Sequence, residues 1–352
     1  MNTLFLFYML IVTYINNIFM LPFLLISKLF TKKIISLYTN SIYLGGSCIF
    51  KYYYNMSTYI KNTKILHELL NLNEPTIIIS NHLTQFDAIF LGLLLANKKQ
   101  VQGQEKVPDL LCKSAKLHND LCYIPTNNIR VVAYYLTHLV KVGYSILLYL
   151  NKSIMISNNK NKNFLNLENC KIDKGDILYL YPEGNVYCSK MKNIVDKYCD
   201  DNNIERMKNC LYPRSGALDI LEKNNNIKTI YSICVQYDTI KPCGKYHTLL
   251  NTKLPNKVYF NLNKHELNSN IYSKTVDIFR NFDKELDQDI NESEYLLIGK
   301  YYNELYCQLS HILLFIFACY YLYNYNYVLM YYITMTILYY IYTFISIYTN
   351  FN

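Results

Sequence analysis

From Leu305 to Asn352 the sequence contains not one Asp, Glu, Lys or Arg. Two apolar, tyrosine-rich runs fill this stretch, 309–323 and 327–347, separated by Asn324-Tyr325-Asn326. The hydrocarbon core of a bilayer is about 30 Å thick, and a helix rising ~1.5 Å per residue needs about 20 apolar residues to cross it. The second run meets that length and the first falls short. A hairpin of two helices, or one span with an interfacial segment, both satisfy the pattern. The opposite end behaves similarly, because residues 1–27 carry no charged side chain. Residues 4–26 are long enough to span, although Asn16-Asn17 and Pro22 interrupt them, so a kinked span and an in-plane anchor both fit. No basic stretch precedes this segment and no small-x-small site follows it, which argues against a cleaved signal peptide. Lys28, Lys32, Lys33 and Lys51 come next and place its C-terminal end on the cytosolic side. Three regions are therefore expected: an N-terminal membrane anchor at 1–50, a folded domain at 51–304 and C-terminal membrane helices at 305–352.

The formal net charge of +9 suits an anionic membrane surface or an anionic substrate. Its basic residues are scattered, and no helix gathers them beside stacking aromatics, so nucleic acid is not an expected partner. The 11 cysteines are odd in number and include no Cys-x-x-Cys pair, which points away from a disulfide framework or a zinc site and towards a reducing cytosolic environment. Cys188, Cys199 and Cys210 recur evenly, on one helix face or by coincidence. Heavy use of Lys, Ile and Asn reads as a base-composition bias of the genome.

Within the middle region, residues 58–72 read as helical, and Pro75 closes the approach to a short β-branched run, 76–80, that reads as a buried strand. Residues 88–96 are long enough for a helix. A helix is expected at 107–117, a strand at 121–124 and a long helix at 131–156. The Asn/Lys-rich stretch 158–163 offers nothing apolar to bury and is expected to be a surface loop. Lys174-Gly175-Asp176 then turns into a strand that ends at Pro182-Glu183-Gly184. Residues 186–203 read as mostly helical, a further helix begins near 211–216, strands follow at 230–237 and 258–262, and 270–304 is charged and helical.

Three corners of this pattern carry chemistry. Between the strand at 76–80 and the next helix lies Asn81-His82-Leu83-Thr84-Gln85-Phe86-Asp87. A histidine at such a turn, with a carboxylate five residues later, is a way to build a base and the group that orients it. The second corner is Pro182-Glu183-Gly184, and the third is Leu211-Tyr212-Pro213-Arg214-Ser215-Gly216. Each also has an ordinary reading: a coincidental spacing, a strand-end turn, and a helix with Pro at its first turn. Lys113 reads as a solvated helix charge.

Taken in order, these corners resemble the glycerolipid acyltransferase family, the lysophosphatidic acid acyltransferase group. Its Asn-His-x4-Asp motif is matched by Asn81, His82 and Asp87, and its Phe-Pro-Glu-Gly-Thr motif by Tyr181, Pro182, Glu183 and Gly184, with Asn185 where Thr is usual. Pro213 and Arg214, followed by Ser232-Ile233-Cys234-Val235-Gln236-Tyr237, are most similar to the lysocardiolipin acyltransferase-like branch. Two departures stand out. Residues 121–126 lack the Gly and Arg of the second motif, leaving Arg130 as the candidate replacement, and the glycine of the fourth motif is shifted by one.

The resemblance implies an α/β fold with a central mixed sheet flanked by helices, an N-terminal membrane helix and a C-terminal hydrophobic helical hairpin. It also implies a 1-acylglycerol-3-phosphate O-acyltransferase-like activity, with acyl-CoA as co-substrate, no cofactor and no metal. His82 and Asp87 would be catalytic. Asn81, Glu183, Gly184, Pro213, Arg214 and Arg130 would bind the lysophospholipid and acyl-CoA, at the cytosolic face of the endoplasmic reticulum or another endomembrane. Two alternatives stay open: a catalytically inactive lipid-binding member of the same fold, and a metal-dependent hydrolase using His82, Asp87 and Glu183 as ligands.

Overall fold

The computed structural model describes residues 56–72, 74–84, 87, 94, 129–134, 154–156, 160–238, 255–267 and 270–298. Both charge-free ends lie outside the described residues, as do Lys113, the helix expected at 107–117 and the strand expected at 121–124. Among the described residues, no helix is long and apolar enough to cross a membrane.

A single sheet of eight described strands organises the domain, in the order β4-β3-β5-β2-β6-β7-β1-β8. Its heart is β2 (Thr76–Ser80), between β5 (Ile177–Leu180) and β6 (Thr229–Tyr237), with parallel pairing on both sides. On the β5 side, β3 (Ile129–Tyr134) and β4 (Ile154–Ile156) continue the parallel block. Beyond β6 the direction reverses. There β7 (Lys257–Glu266) runs antiparallel to β6, β1 (Ser57–Lys61) runs parallel to β7, and β8 (Leu296–Ile298) closes the edge antiparallel to β1.

All five residues of β2 are buried. A central parallel strand is covered on both faces, which is why Thr76-Ile77-Ile78-Ile79-Ser80 shows no polar alternation. Side chains alternate between two cores. Ile78, Tyr179, Ile233, Val235, Val258 and Phe260 point into one, together with Leu66 and Leu69 of α1 (Thr63–Asn71). Ile77, Ile79, Leu178, Leu180 and Ile230 point into the other. That second core is roofed by α2 (Lys160–Glu168), α3 (Ser189–Asp201), α4 (Gly216–Asn225) and α5 (Ile271–Leu286). Helix α5 contributes Ile271, Thr275, Ile278, Phe279 and Phe282, an i, i+4, i+7, i+8, i+11 stripe, and Asn270 caps it by accepting from the Tyr272 N–H.

Four sequence expectations fail here. Residues 58–72 are not one helix, because Ser57–Lys61 form β1, with alternate residues buried. Asn62 makes the turn into α1 in a left-handed conformation (φ 65°), and its side-chain amide donates to Leu262 O on β7 at 2.8 Å. An Asn tolerates that conformation better than most residues. Residues 131–156 are not one long helix either, since 129–134 and 154–156 are strands paired with each other, the first also with β5. An apolar run looks alike in both states, and only neighbouring strands decide it. Lys160–Glu168, partly expected as a loop, is helical and rests on the buried Leu167. The charged helix expected at 270–304 stops at Leu286 and gives way to β8.

The fully buried Phe279 joins α5 to the sheet. Phe279→Ala is expected to cost about 3–5 kcal/mol, the usual loss for truncating a buried Phe. A matching fall in the urea midpoint, with an unchanged slope, checks it.

Candidate active site

Strands β2, β5 and β6 are adjacent and parallel, so the segments leaving their carboxyl ends meet at one edge of the sheet. Open α/β sheets place their sites at such an edge. Asn81 is the first residue beyond β2 and is fully buried. Its side-chain amide donates to Val235 O at 3.0 Å, and its carbonyl oxygen accepts from Val235 N–H at 2.8 Å. The side chain thus extends the β2–β6 pairing by one rung. Expected among the substrate contacts, Asn81 is engaged inside the protein and fixes where the loop begins.

His82 Nδ1 lies 3.0 Å from Asp87 Oδ2. The Asp87 side chain is fully buried, whereas that of His82 keeps 18% of its surface exposed. Oδ2 also accepts from the backbone N–H of Leu83 (2.7 Å) and Thr84 (2.9 Å). Oδ1 accepts from the Thr84 hydroxyl (2.7 Å) and from the Tyr237 hydroxyl. Five donors thus converge on the two oxygens, three on Oδ2 and two on Oδ1, an arrangement that suits an acceptor-only carboxylate. Against such an acceptor Nδ1 carries the proton, which leaves the Nε2 lone pair with no hydrogen bond among the described residues. The imidazole stacks on Tyr181, with ring centroids 3.8 Å apart and planes inclined by 17°. Burial, with the Asp87 charge, raises the Tyr237 phenol well above its ordinary value of 10.0, so it is a donor at neutral pH.

Glu183, at 1% exposure, ties the corners together. Its Oε2 accepts from the His82 backbone N–H (2.7 Å) and its Oε1 from the Leu211 N–H (2.9 Å). Tyr187 N–H donates to His82 O (2.8 Å), and Arg214 N–H to Pro182 O (2.7 Å). Asp283 on α5 holds the incoming segment by accepting from the N–H groups of Lys208, Asn209 and Cys210. The three corners seen in the sequence are therefore one structure. Gly184 sits at φ +70°, a conformation that favours glycine, with Arg214 Cδ 3.8 Å from where a Cβ would be. Pro213 is buried, whereas Arg214 is exposed beside Gly184. Arg130 lies within β3, its backbone in register with Leu178, below the corner rather than in a loop.

The site also uses Thr84 and Tyr237, to which the sequence assigned no role. Thr84 and Asp87 stand at capping-box spacing, with the carboxylate taking the Thr84 N–H, so a Thr-x-x-Asp signal was present. Tyr237 is 150 residues from Asp87, and no local pattern links them.

Among known proteins, no family model matches this sequence, and no curated protein matches it. Among solved structures, the chain is similar to the 1-acyl-sn-glycerophosphate (LPA) acyltransferase PlsC from Thermotoga maritima. The two share 12% identity with a TM-score of 0.45, over 83% of this chain and 100% of that one. A likeness at that level transfers no residue roles.

Burial pushes the Glu183 carboxyl well above its ordinary value of 4.5; the Leu211 and His82 N–H donors oppose the rise, and the Asp87 charge adds to it. A carboxyl raised in this way takes up a proton on folding. Its contribution to stability is complete below the unfolded value and is lost as pH rises through the folded one. The wild-type unfolding midpoint should therefore fall from about pH 5 to about pH 8, and the fall should flatten in Glu183→Gln, which has no proton to lose. The variant also sets an amide NH2 against a backbone N–H, at a cost of about 1–3 kcal/mol at the acid end. Thermal midpoints of both proteins across that range check both effects.

Proposed function

We propose that the protein is an acyltransferase that moves an acyl group from acyl-CoA to the free hydroxyl of a lysophospholipid, lysophosphatidic acid or a relative of it. One observation carries the reading. A partly exposed histidine has its Nδ1 held by a fully buried carboxylate, with Nε2 left to act. The order of the three corners in the sequence, and their convergence at one sheet edge, support it. Asp87 keeps the imidazole in the Nε2-basic tautomer and favours the imidazolium that forms.

In this mechanism Nε2 takes the proton of the lysolipid hydroxyl as its oxygen attacks the thioester carbonyl. The tetrahedral intermediate then collapses with cleavage of the C–S bond, and the departing thiolate of CoA takes the proton back from the imidazolium. No covalent acyl-enzyme is needed, and no serine or cysteine bonds to His82 among the described residues. Tyr181, flat against the ring, favours the cationic form through its π face. Arg214, exposed beside Gly184, is suited to a phosphate through its planar fork. Glu183 serves from within, holding the His82 backbone. The charge-free ends would anchor the enzyme to an endomembrane with this edge on the cytosolic side. The metal-hydrolase alternative is not favoured, because the oxygens of Asp87 and Glu183 are already engaged by hydrogen-bond donors.

His82→Ala should lower transfer of labelled acyl chains to a lysophospholipid by about 10²–10⁴, the usual contribution of a general base, while the protein still reaches the membrane. A panel of lysophospholipids and acyl-CoAs assayed with the wild type reads out both activity and specificity. Unchanged turnover in the variant would overturn the assignment.

A further inference from the structure

We infer that Tyr237 is a positioning residue for His82, acting through Asp87. The inference rests on the acyltransferase reading for its kinetic consequence, but not for its geometry. A carboxylate is free to rotate about its Cβ–Cγ bond, and His82 holds only one of the two oxygens of Asp87. Among the described residues the other, Oδ1, receives two donors: the Thr84 hydroxyl and the Tyr237 hydroxyl. Thr84 belongs to the same loop as His82 and moves with it. Tyr237 does not. It is the last residue of β6, it is buried, and its strand is paired along its whole length with β7 and from Ile230 to Ile233 with β2.

The same strand also holds the other end of the loop. Val235, two residues earlier, makes both backbone hydrogen bonds to the Asn81 side chain. Asn81 and Asp87 bracket His82, and β6 fixes each of them, one through its backbone and one through a phenol. The angle at which Oδ2 meets Nδ1, and hence the direction of Nε2, is therefore referred to the sheet as well as to the loop, whose Leu83 and Thr84 N–H groups hold Oδ2. Tyr181 fixes the plane of the ring by stacking, Glu183 fixes its backbone, and Tyr237 ties the rotation of the carboxylate to the sheet.

Tyr237→Phe removes only the hydroxyl and tests this. Expected is a fall in kcat of about tenfold to a hundredfold, part of the ~10²–10⁴ that a positioned base contributes, with KM within about twofold. In substrate-free protein labelled with ¹⁵N-histidine, the Nδ1 proton resonance of His82, assigned by its loss in His82→Gln, should shift or broaden. Thr84→Val removes the other donor to Oδ1 and should move both readouts in the same direction, which keeps the test decisive if the Phe variant does not fold. An unmoved His82 resonance, or a kcat within twofold of wild type, overturns the inference. Should the wild type show no acyl transfer at all, the functional reading fails while the resonance still decides the role of Tyr237.

Discussion

Two carboxyl groups are buried at the end of the sheet, and among the described residues neither is paired with a lysine or arginine. Asp87 is 0% and Glu183 1% exposed. Removing an ionised group from water costs several kcal/mol unless donors replace the lost hydration. Here those donors come from N–H groups of the loop itself, from the hydroxyls of Thr84 and Tyr237, and from the N–H of Leu211. The donors belong to three separate stretches of chain. Satisfying two acids thus forces the β2 loop, the end of β6 and the 208–214 segment into fixed mutual positions.

This requirement accounts for how little of the site is left to local choice. Asn81 rides on β6, the His82 backbone is held by Glu183 and Tyr187, and its ring is held by Asp87 and Tyr181. Among the described residues His82 Nε2 takes part in no hydrogen bond, and Arg214 is exposed beside Gly184. In the proposed mechanism a base held in this way reacts without first having to orient itself, which is where enzymes gain much of their rate. The buried frame and the proposed reactive edge are two consequences of one hydrogen-bond network.

Legibility in the sequence followed burial. Strands β2, β5, β6 and the start of β7 could be read because short β-branched runs lie between turn signals, and α5 because its apolar stripe has helical period. Strands β1, β3 and β4 could not. Ser57–Lys61 flows into α1 through a single left-handed Asn62, and the β3 run Ile129-Arg130-Val131-Val132 has no period that separates strand from helix. At the site, the spacing from His82 to Asp87 revealed the pair. The direction in which Asn81 and Glu183 point was not legible, since a polar residue at a turn can face substrate or backbone equally well. Tyr237 lay within a stretch that carried the resemblance, but its contact with Asp87 was not legible, because the two are 150 residues apart.

By itself, then, the sequence determined the kinds of side chain available at each strand end, the carboxylate within reach of a histidine, and the charge-free runs at both ends of the chain. Tertiary structure decided which of these side chains look inward. Strand order placed β6 beside β2, and only that adjacency brings Val235 to Asn81 and Tyr237 to Asp87. The physical reason is range. Backbone propensity and side-chain period act over a few residues, whereas a buried charge must find its donors wherever the fold delivers them.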